Sequence, residues 1–242
     1  MKAQILLSIF LIAVAASVGR SQSTAEEYWR LGFDSTQIGD RETALLYVEK
    51  ALEVDPTYIP AYITRANIRR ARRDFRGAIA DYNKIIELEP KKKGVHADRG
   101  WMYFYTGDPD GAIADYYKEI ELGGWGWLSY HRMGRAHENK SAKLIQRGEK
   151  EAGKSEQTKA IISFTKAIAS DPKRAESYSW RSLLHSRNKD YALALTDINA
   201  ALQIRPEFVD DYRSRIWIYR KTGKGDLAKA DEEKIAELLA GR

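Results

Sequence analysis

Apolar residues recur at three- and four-residue steps along most of this chain, and the steps themselves repeat. In GAIADYNKIIELEP (Gly77 to Pro90) the stripe is Ala78, Ile79, Tyr82, Ile85 and Ile86, one face of a helix. The pattern returns as GAIADYYKEIELGG (Gly111 to Gly124) and, more loosely, as LALTDINAALQIRP (Leu193 to Pro206), KAIISFTKAIASDP (Lys159 to Pro172) and TALLYVEKALEVDP (Thr43 to Pro56). Its small residue falls at Ala44, Ala78, Ala112, Ala160, Ala194 and Ala228, separated by 34, 34, 48, 34 and 34 residues. A fixed period of this size marks stacked copies of one supersecondary unit, one of them carrying an insertion.

Counting back from each anchor gives windows 25–58, 59–92, 93–126, 127–174, 175–208 and 209–242, each predicting two helices. Proline closes the second helix at Pro56, Pro90, Pro172 and Pro206. The first helix opens with a ring (Tyr28, Tyr62, His96, Tyr130, Tyr178, Tyr212) and, four residues on, a small residue in most windows: Gly32, Ala66, Gly100, Gly134 and Ser182. A small side chain there admits the paired helix; Ile216 departs from the rule. The insertion, near Lys140 to Gly153, predicts about two extra turns on each helix of the fourth pair, with a tip at Gly148 to Gly153. This hairpin is expected either as a solvated protrusion or as an arm for a partner or a second copy. Glu232 replaces the bulky residue seen as Val48, Tyr82, Tyr116, Phe164 and Ile198, so the last helix should turn its outer side to water and cap the stack.

The framework of ring, small residue, alanine and proline resembles the tetratricopeptide repeat, most strongly in AYITRANIRRARRDFRGAIADYNKIIELEP and HADRGWMYFYTGDPDGAIADYYKEIELGG. The resemblance covers residues 25–242 as one domain. It implies an all-α solenoid of six helix–turn–helix repeats in a right-handed superhelix, with the first helix of each pair lining the concave side. Two departures stand out: Gly123-Gly124 replaces a proline, predicting a looser or turned junction, and Arg73 stands where Gly39, Gly107 and Gly223 supply a turn glycine.

The resemblance also implies recognition of a peptide along the concave side. The candidates there are Trp29, Phe33, Asn67, Arg70, Trp101 and Phe104, then His131, Arg132, Arg135, Arg187, Arg213, Trp217 and Arg220. Rings offer contact area at small entropic cost, arginine forks bind carboxylates, and the Asn67 amide suits a peptide backbone. An extended, partly acidic segment of a partner protein fits such a surface; the competing reading is that Trp101, Phe104 and Trp217 pack between neighbouring pairs. Some tetratricopeptide domains clamp a chaperone's terminal carboxylate with Lys and Asn, but Trp29, Phe33 and Gly94 occupy those places, so that ligand is not expected.

Composition narrows the function further. Charged residues make up 31% and the net charge of +6 is mild for the length, which gives little support to nucleic-acid binding, since that wants a clustered basic face. Residues 1–23 read as an export signal, with Lys2, an apolar core from Ile5 to Ala16 and small residues up to Gly19; the alternative is a membrane anchor over residues 5–19. The protein is thus expected to be periplasmic or secreted. There is no cysteine, hence neither disulfide nor thiol nucleophile. His96, His137 and His185 fall at packing positions, His131 and His137 lie on different helix faces, and carboxylates read as scattered singly along helices. No cofactor and no catalysis are expected. Asn139-Lys140-Ser141 forms a glycosylation sequon. The expected function is a non-enzymatic scaffold holding a partner's segment; the alternative is a structural protein dimerising through the hairpin near 140–153.

Overall fold

In the computed structural model, which describes residues 24–240, twelve α-helices follow one another as six consecutive pairs, with no strand among the described residues. They are α1 (Ala25–Gln37) and α2 (Arg41–Val54), α3 (Ile59–Ala71) and α4 (Phe75–Leu88), α5 (Val95–Thr106) and α6 (Pro109–Glu121). Then come α7 (Gly126–Gln146) and α8 (Lys150–Ser170), α9 (Ala175–Arg187) and α10 (Tyr191–Ile204), α11 (Val209–Lys221) and α12 (Gly225–Ala240). The export segment proposed over residues 1–23 lies outside the described residues. None of the described helices is long and apolar enough to cross a membrane.

The chain forms two compact units that part between Asp108 and Pro109. In the first, α2 packs on α1 and α3, and α4 on α3 and α5, around Val48, Tyr82, Ile85 and Met102. In the second, Phe164 and Leu184 centre one cluster, and Ile198 and Ile218 another. First helices of successive pairs also meet directly: α1 with α3, and α9 with α11.

The repeated framework residues have identifiable work. The Tyr62 hydroxyl donates to the Pro56 carbonyl at 2.9 Å, and Tyr212 does the same to Pro206 at 2.9 Å, so ring and proline fasten one pair to the start of the next. Asp40 and Asp74 cap second helices by accepting from the amides of Thr43 (3.1 Å) and Gly77 (2.9 Å). The residue before each cap is left-handed: Gly39 at φ +83°, but also Arg73 at +62° and, ahead of Asp190, Lys189 at +65°. A side chain in that region costs roughly 1–2 kcal/mol.

The small residue of the first helix does admit its partner. A Cβ built on Gly134 would lie 2.8–3.0 Å from three atoms of the Phe164 ring, and one on Gly32 would lie 2.7 Å from Val48 Cγ2. Phe164 is fully buried and its flat ring has no slack. Gly134→Val is therefore expected to lower stability by about 1–3 kcal/mol, read as a shift in the urea midpoint. A midpoint at or above that of the parent would show that the helices separate freely.

Helices α7 and α8 each run 21 residues, and Gly148, at φ +87°, sits in the turn between them. Gly153, expected at the tip, is instead buried inside α8. Its carbonyl accepts from the Ser141 hydroxyl at 2.7 Å, and a Cβ on it would meet Ile145 Cγ1 at 2.5 Å. It marks a close crossing of two helices, not a bend. Ser141 is likewise buried in α7, so the hydroxyl of the sequon is already engaged. Beside it, buried Glu156 meets His137 Nδ1 at 2.7 Å and Lys159 at 2.7 Å. Burial raises the Glu156 pKa, but these partners and Lys140 outweigh it and hold the carboxylate low.

At the end of α6, Gly123 is left-handed (φ +68°), and a Cβ on Gly124 would collide with the Glu119 carboxylate at 1.6 Å. The glycine pair thus answers two local demands that proline does not meet. In α12, Glu232 points to water and pairs with Arg220.

One recurrent device escaped the reading of carboxylates as solitary. Asp81, Asp197 and Asp231 are buried, each gripped by an arginine of the preceding helix 16 residues back: Arg65, Arg181 and Arg215. Two of the grips are bidentate: Arg181 on Asp197 at 2.8 and 2.7 Å, and Arg215 on Asp231 at 2.8 and 2.7 Å.

Candidate functional site

One register of the repeat collects three exposed large apolar side chains of the first helices, Phe33, Leu183 and Trp217. Five residues after the opening ring stand Phe33, Asn67, Trp101, Arg135, Leu183 and Trp217. None of the six is buried. Leu183, 39% exposed, is the member that the sequence reading passed over, although it shares the position of Trp217.

In the first unit, Trp29 proves to be partly structural. Its indole N–H donates to Thr64 Oγ1 at 2.9 Å, tying α1 to α3, and its ring lies 6.0 Å from Tyr58 and 5.5 Å from Phe33. Phe33, Asn67 and Arg70 are exposed. Trp101 stacks on Phe104 at 5.1 Å and meets the edge of Tyr105 at 4.8 Å, while Tyr105 stacks on Phe75 at 4.9 Å. Phe75, Trp101, Tyr105 and Arg70 border a cleft of about 390 Å³ that also takes in Arg73. Phe75 and Tyr105 were missed because each flanks a turn, off the face on which the groove was sought.

In the second unit, His131 is not a surface residue. It is buried, its Nδ1 lies 3.0 Å from Ser177 Oγ, and it meets the edge of Phe164 at 5.4 Å. Burial, helped by the nearby Arg135 charge, lowers its pKa to about 4, so it is a neutral packing ring at ordinary pH. The preceding ring, Tyr130, lies under Lys166 Nζ of α8 at 5.7 Å. Arg132 is half-buried. Arg135 lies over the Trp180 ring at 4.7 Å.

Arg187, Arg213 and Trp217 converge on a cleft of about 360 Å³ between α9 and α11, floored by Leu183 and edged by Ser182, Ser186 and Ser214. Both arginines have carboxylate partners: Arg187 donates to Glu138 at 2.6 Å and Arg213 to Asp210 at 2.8 Å. Trp217 remains 45% exposed. A second cleft of about 380 Å³ shares Leu183 and Ser214 and adds Trp180 and Phe208. The two make one trough, apolar at its floor and charged along its rim. Arg220 is committed elsewhere, to Glu232 of α12. Trp180 and Phe208 were not foreseen; Phe208 follows the proline turn, where the sequence reading placed only connections.

Among the described residues no three His, Cys, Asp or Glu are grouped to hold a metal ion. His137, paired with Glu156, has its pKa lowered chiefly by burial.

Comparison with known proteins agrees with this architecture. The tetratricopeptide repeat model matches residues 63–124 and 158–207, so these stretches carry tetratricopeptide repeats. A relative, the general transcriptional corepressor ssn6 of Schizosaccharomyces pombe, is 33% identical over 93 residues, 38% of this chain and 8% of its own length. Among solved structures, the MamA protein superposes with TM-score 0.61 at 23% identity, over 74% of this chain and 91% of that one. YrrB, described as a TPR protein with an unusual peptide-binding site, gives 0.62 at 17% identity, over 81% and 93%. At such identities the likeness speaks for the fold.

Proposed function

We propose that this protein is a non-enzymatic scaffold that holds an extended segment of a partner protein against the first helices of its pairs. The observation that carries the reading is the trough between α9 and α11, where exposed Trp217 and Leu183 lie between Arg187 and Arg213. An apolar floor accommodates side chains, while the rim arginines exchange their intramolecular carboxylates for those of a ligand. A peptide-binding site is named for YrrB, and this chain shares its fold. The remaining candidates, Arg132 and Arg135 in the second unit and Phe33, Asn67, Arg70, Trp101 and Phe104 in the first, are proposed as further contacts. Trp29 serves mainly to position Phe33. Export through residues 1–23 is part of the proposal, placing the partner in the periplasm or outside the cell.

Peptides selected from a displayed random library on the full chain test this directly. They should lose at least tenfold in affinity when Arg213→Glu and Trp217→Ala are combined, with a cooperative circular-dichroism melt retained, because Arg213 is 64% and Trp217 45% exposed. Failure to enrich any peptide, or full affinity in the double variant, removes the reading. Light scattering separates the alternative of self-assembly through the hairpin at 140–153: a mass that stays monomeric as concentration rises excludes it.

A further inference from the structure

The turn joining α3 to α4 inside the second pair carries more positive charge than its surroundings neutralise. Arg69, Arg70, Arg72, Arg73 and Arg76 all fall there. Arg69 is held by Asp81 at 2.8 Å, and Arg72 by Glu42. Asp74 caps α4 and lies 4.0 Å from Arg69. Arg70, Arg73 and Arg76 are exposed, and among the described residues their side chains have neither an acidic partner nor a hydrogen-bond acceptor. This differs from the α9–α11 trough, where Arg187 and Arg213 both carry a carboxylate.

A second observation is independent of charge. Arg73 holds the left-handed conformation (φ +62°) that Gly39, Gly107 and Gly223 adopt at the equivalent turns without a side chain. Backbone strain of this kind persists only where its surroundings hold it, and it clusters at ligand-binding positions. The other non-glycine residue so placed, Lys189, is also a cation.

The third observation fixes the ligand's chemistry. Arg70 and Arg73 border the cleft whose wall is Phe75, Trp101 and Tyr105. Those rings pack on one another: Phe75 on Tyr105 at 11° between planes, Trp101 on Phe104 at 6°, and Trp101 against Tyr105 at 71°. Such a wall suits an apolar side chain, and the arginines at its edge suit carboxylates.

We propose that this cleft of the first unit receives an acidic segment of a partner protein. Carboxylates pair with Arg70, Arg73 and Arg76, and an apolar or aromatic side chain between them rests against Phe75, Trp101 and Tyr105. The proposal rests on the scaffold reading above, but it concerns a separate surface with its own ligand chemistry.

The test uses fluorescence anisotropy of the full chain with a labelled random copolymer of glutamate and tyrosine, at about physiological salt. Polyglutamate of equal length and a single-stranded oligothymidylate are the comparisons. The copolymer should bind at least tenfold more tightly than either. Arg73→Gly should weaken it at least fivefold while raising the melting temperature, because charge and strain leave together. Arg70→Gln should weaken it without that rise. Arg213→Glu with Trp217→Ala should leave it unchanged. Absence of binding, equal binding of polyglutamate or the oligonucleotide, or undiminished binding by Arg73→Gly overturns the proposal. Loss through Arg213→Glu with Trp217→Ala, and not through Arg73→Gly, overturns it while leaving the scaffold reading in place.

Discussion

Asp81→Ala is expected to lower the unfolding free energy by about 3–5 kcal/mol, the range for removing one partner of a buried ion pair. Arg65 places Nε and Nη2 on Asp81 Oδ1 at 3.0 and 2.7 Å, and Arg69 places Nη1 on Oδ2 at 2.8 Å. The carboxylate is 1% exposed. Without it two guanidinium groups, with side chains 19% and 25% exposed, lose their counter-charge in a poorly solvated place. Burial already raises the Asp81 pKa, with the hydrogen bond and charge of Arg65 and then Arg69 opposing it, so the ionised form depends on these arginines. Replacing all three members with apolar residues of similar volume should recover much of the loss. Denaturant unfolding read together with hydrogen exchange would show faster exchange in α3 and α4. A loss below about 1 kcal/mol, ordinary for a surface change, would show that water reaches the site.

Phe164→Ala is expected to cost about 3–5 kcal/mol, as for other large core truncations. The ring is fully buried, meets His131 edge-on at 5.4 Å and lies near-parallel to Trp180 at 6.3 Å. Opposite it stands Gly134, which has no side chain to move into the space left behind. The site therefore collapses poorly, and the cost should fall in the upper part of that range. The same pairing predicts a coupling: Gly134→Ala should be better tolerated beside Phe164→Leu than alone, by roughly 0.5–3 kcal/mol in a double-mutant cycle. Additive effects would mean that Gly134 and Phe164 do not share one packing constraint. Exchange measurements should confine the damage to the second unit.

The helices were legible because their signal is local: a stripe at three- and four-residue steps, closed by Pro56, Pro90, Pro172 or Pro206. The positions of close approach were legible for a related reason, since Gly32 and Gly134 recur in register with Ala44 and Ala160. What failed to show was anything set by the angle between two helices. Gly153 reads as a turn residue in KEAG, and only the crossing of α7 and α8 reveals a contact with Ser141 and Ile145. His131 looks like one more cation beside Arg132 until α8 and α9 close over it. The ties from Arg65, Arg181 and Arg215 were hidden by distance along the chain, although their constant offset of 16 was available to a search for paired spacings.

At the candidate surfaces, exposure had to be known before residues could be chosen. Phe33, Asn67, Trp101, Arg135 and Trp217 were found through their place on the first helices. Leu183 was passed over because leucine at that place reads as core. The cleft at Arg73 was half visible: the missing turn glycine was plain in the sequence, but Phe75 and Tyr105 lie next to it only through the packing of α4 and α5.

The constant offset has a consequence for how such a chain can grow or shrink. Each arginine and its aspartate are encoded within one 34-residue copy. A duplication or excision of a whole copy therefore carries this donor and acceptor together, whereas the pair of Arg205 with buried Asp211 spans two copies and would be split. For the three internal pairs a change in copy number is electrostatically silent, so bridges between copies such as Arg187–Glu138, together with the fit of apolar surfaces, decide whether a longer or shorter descendant still folds.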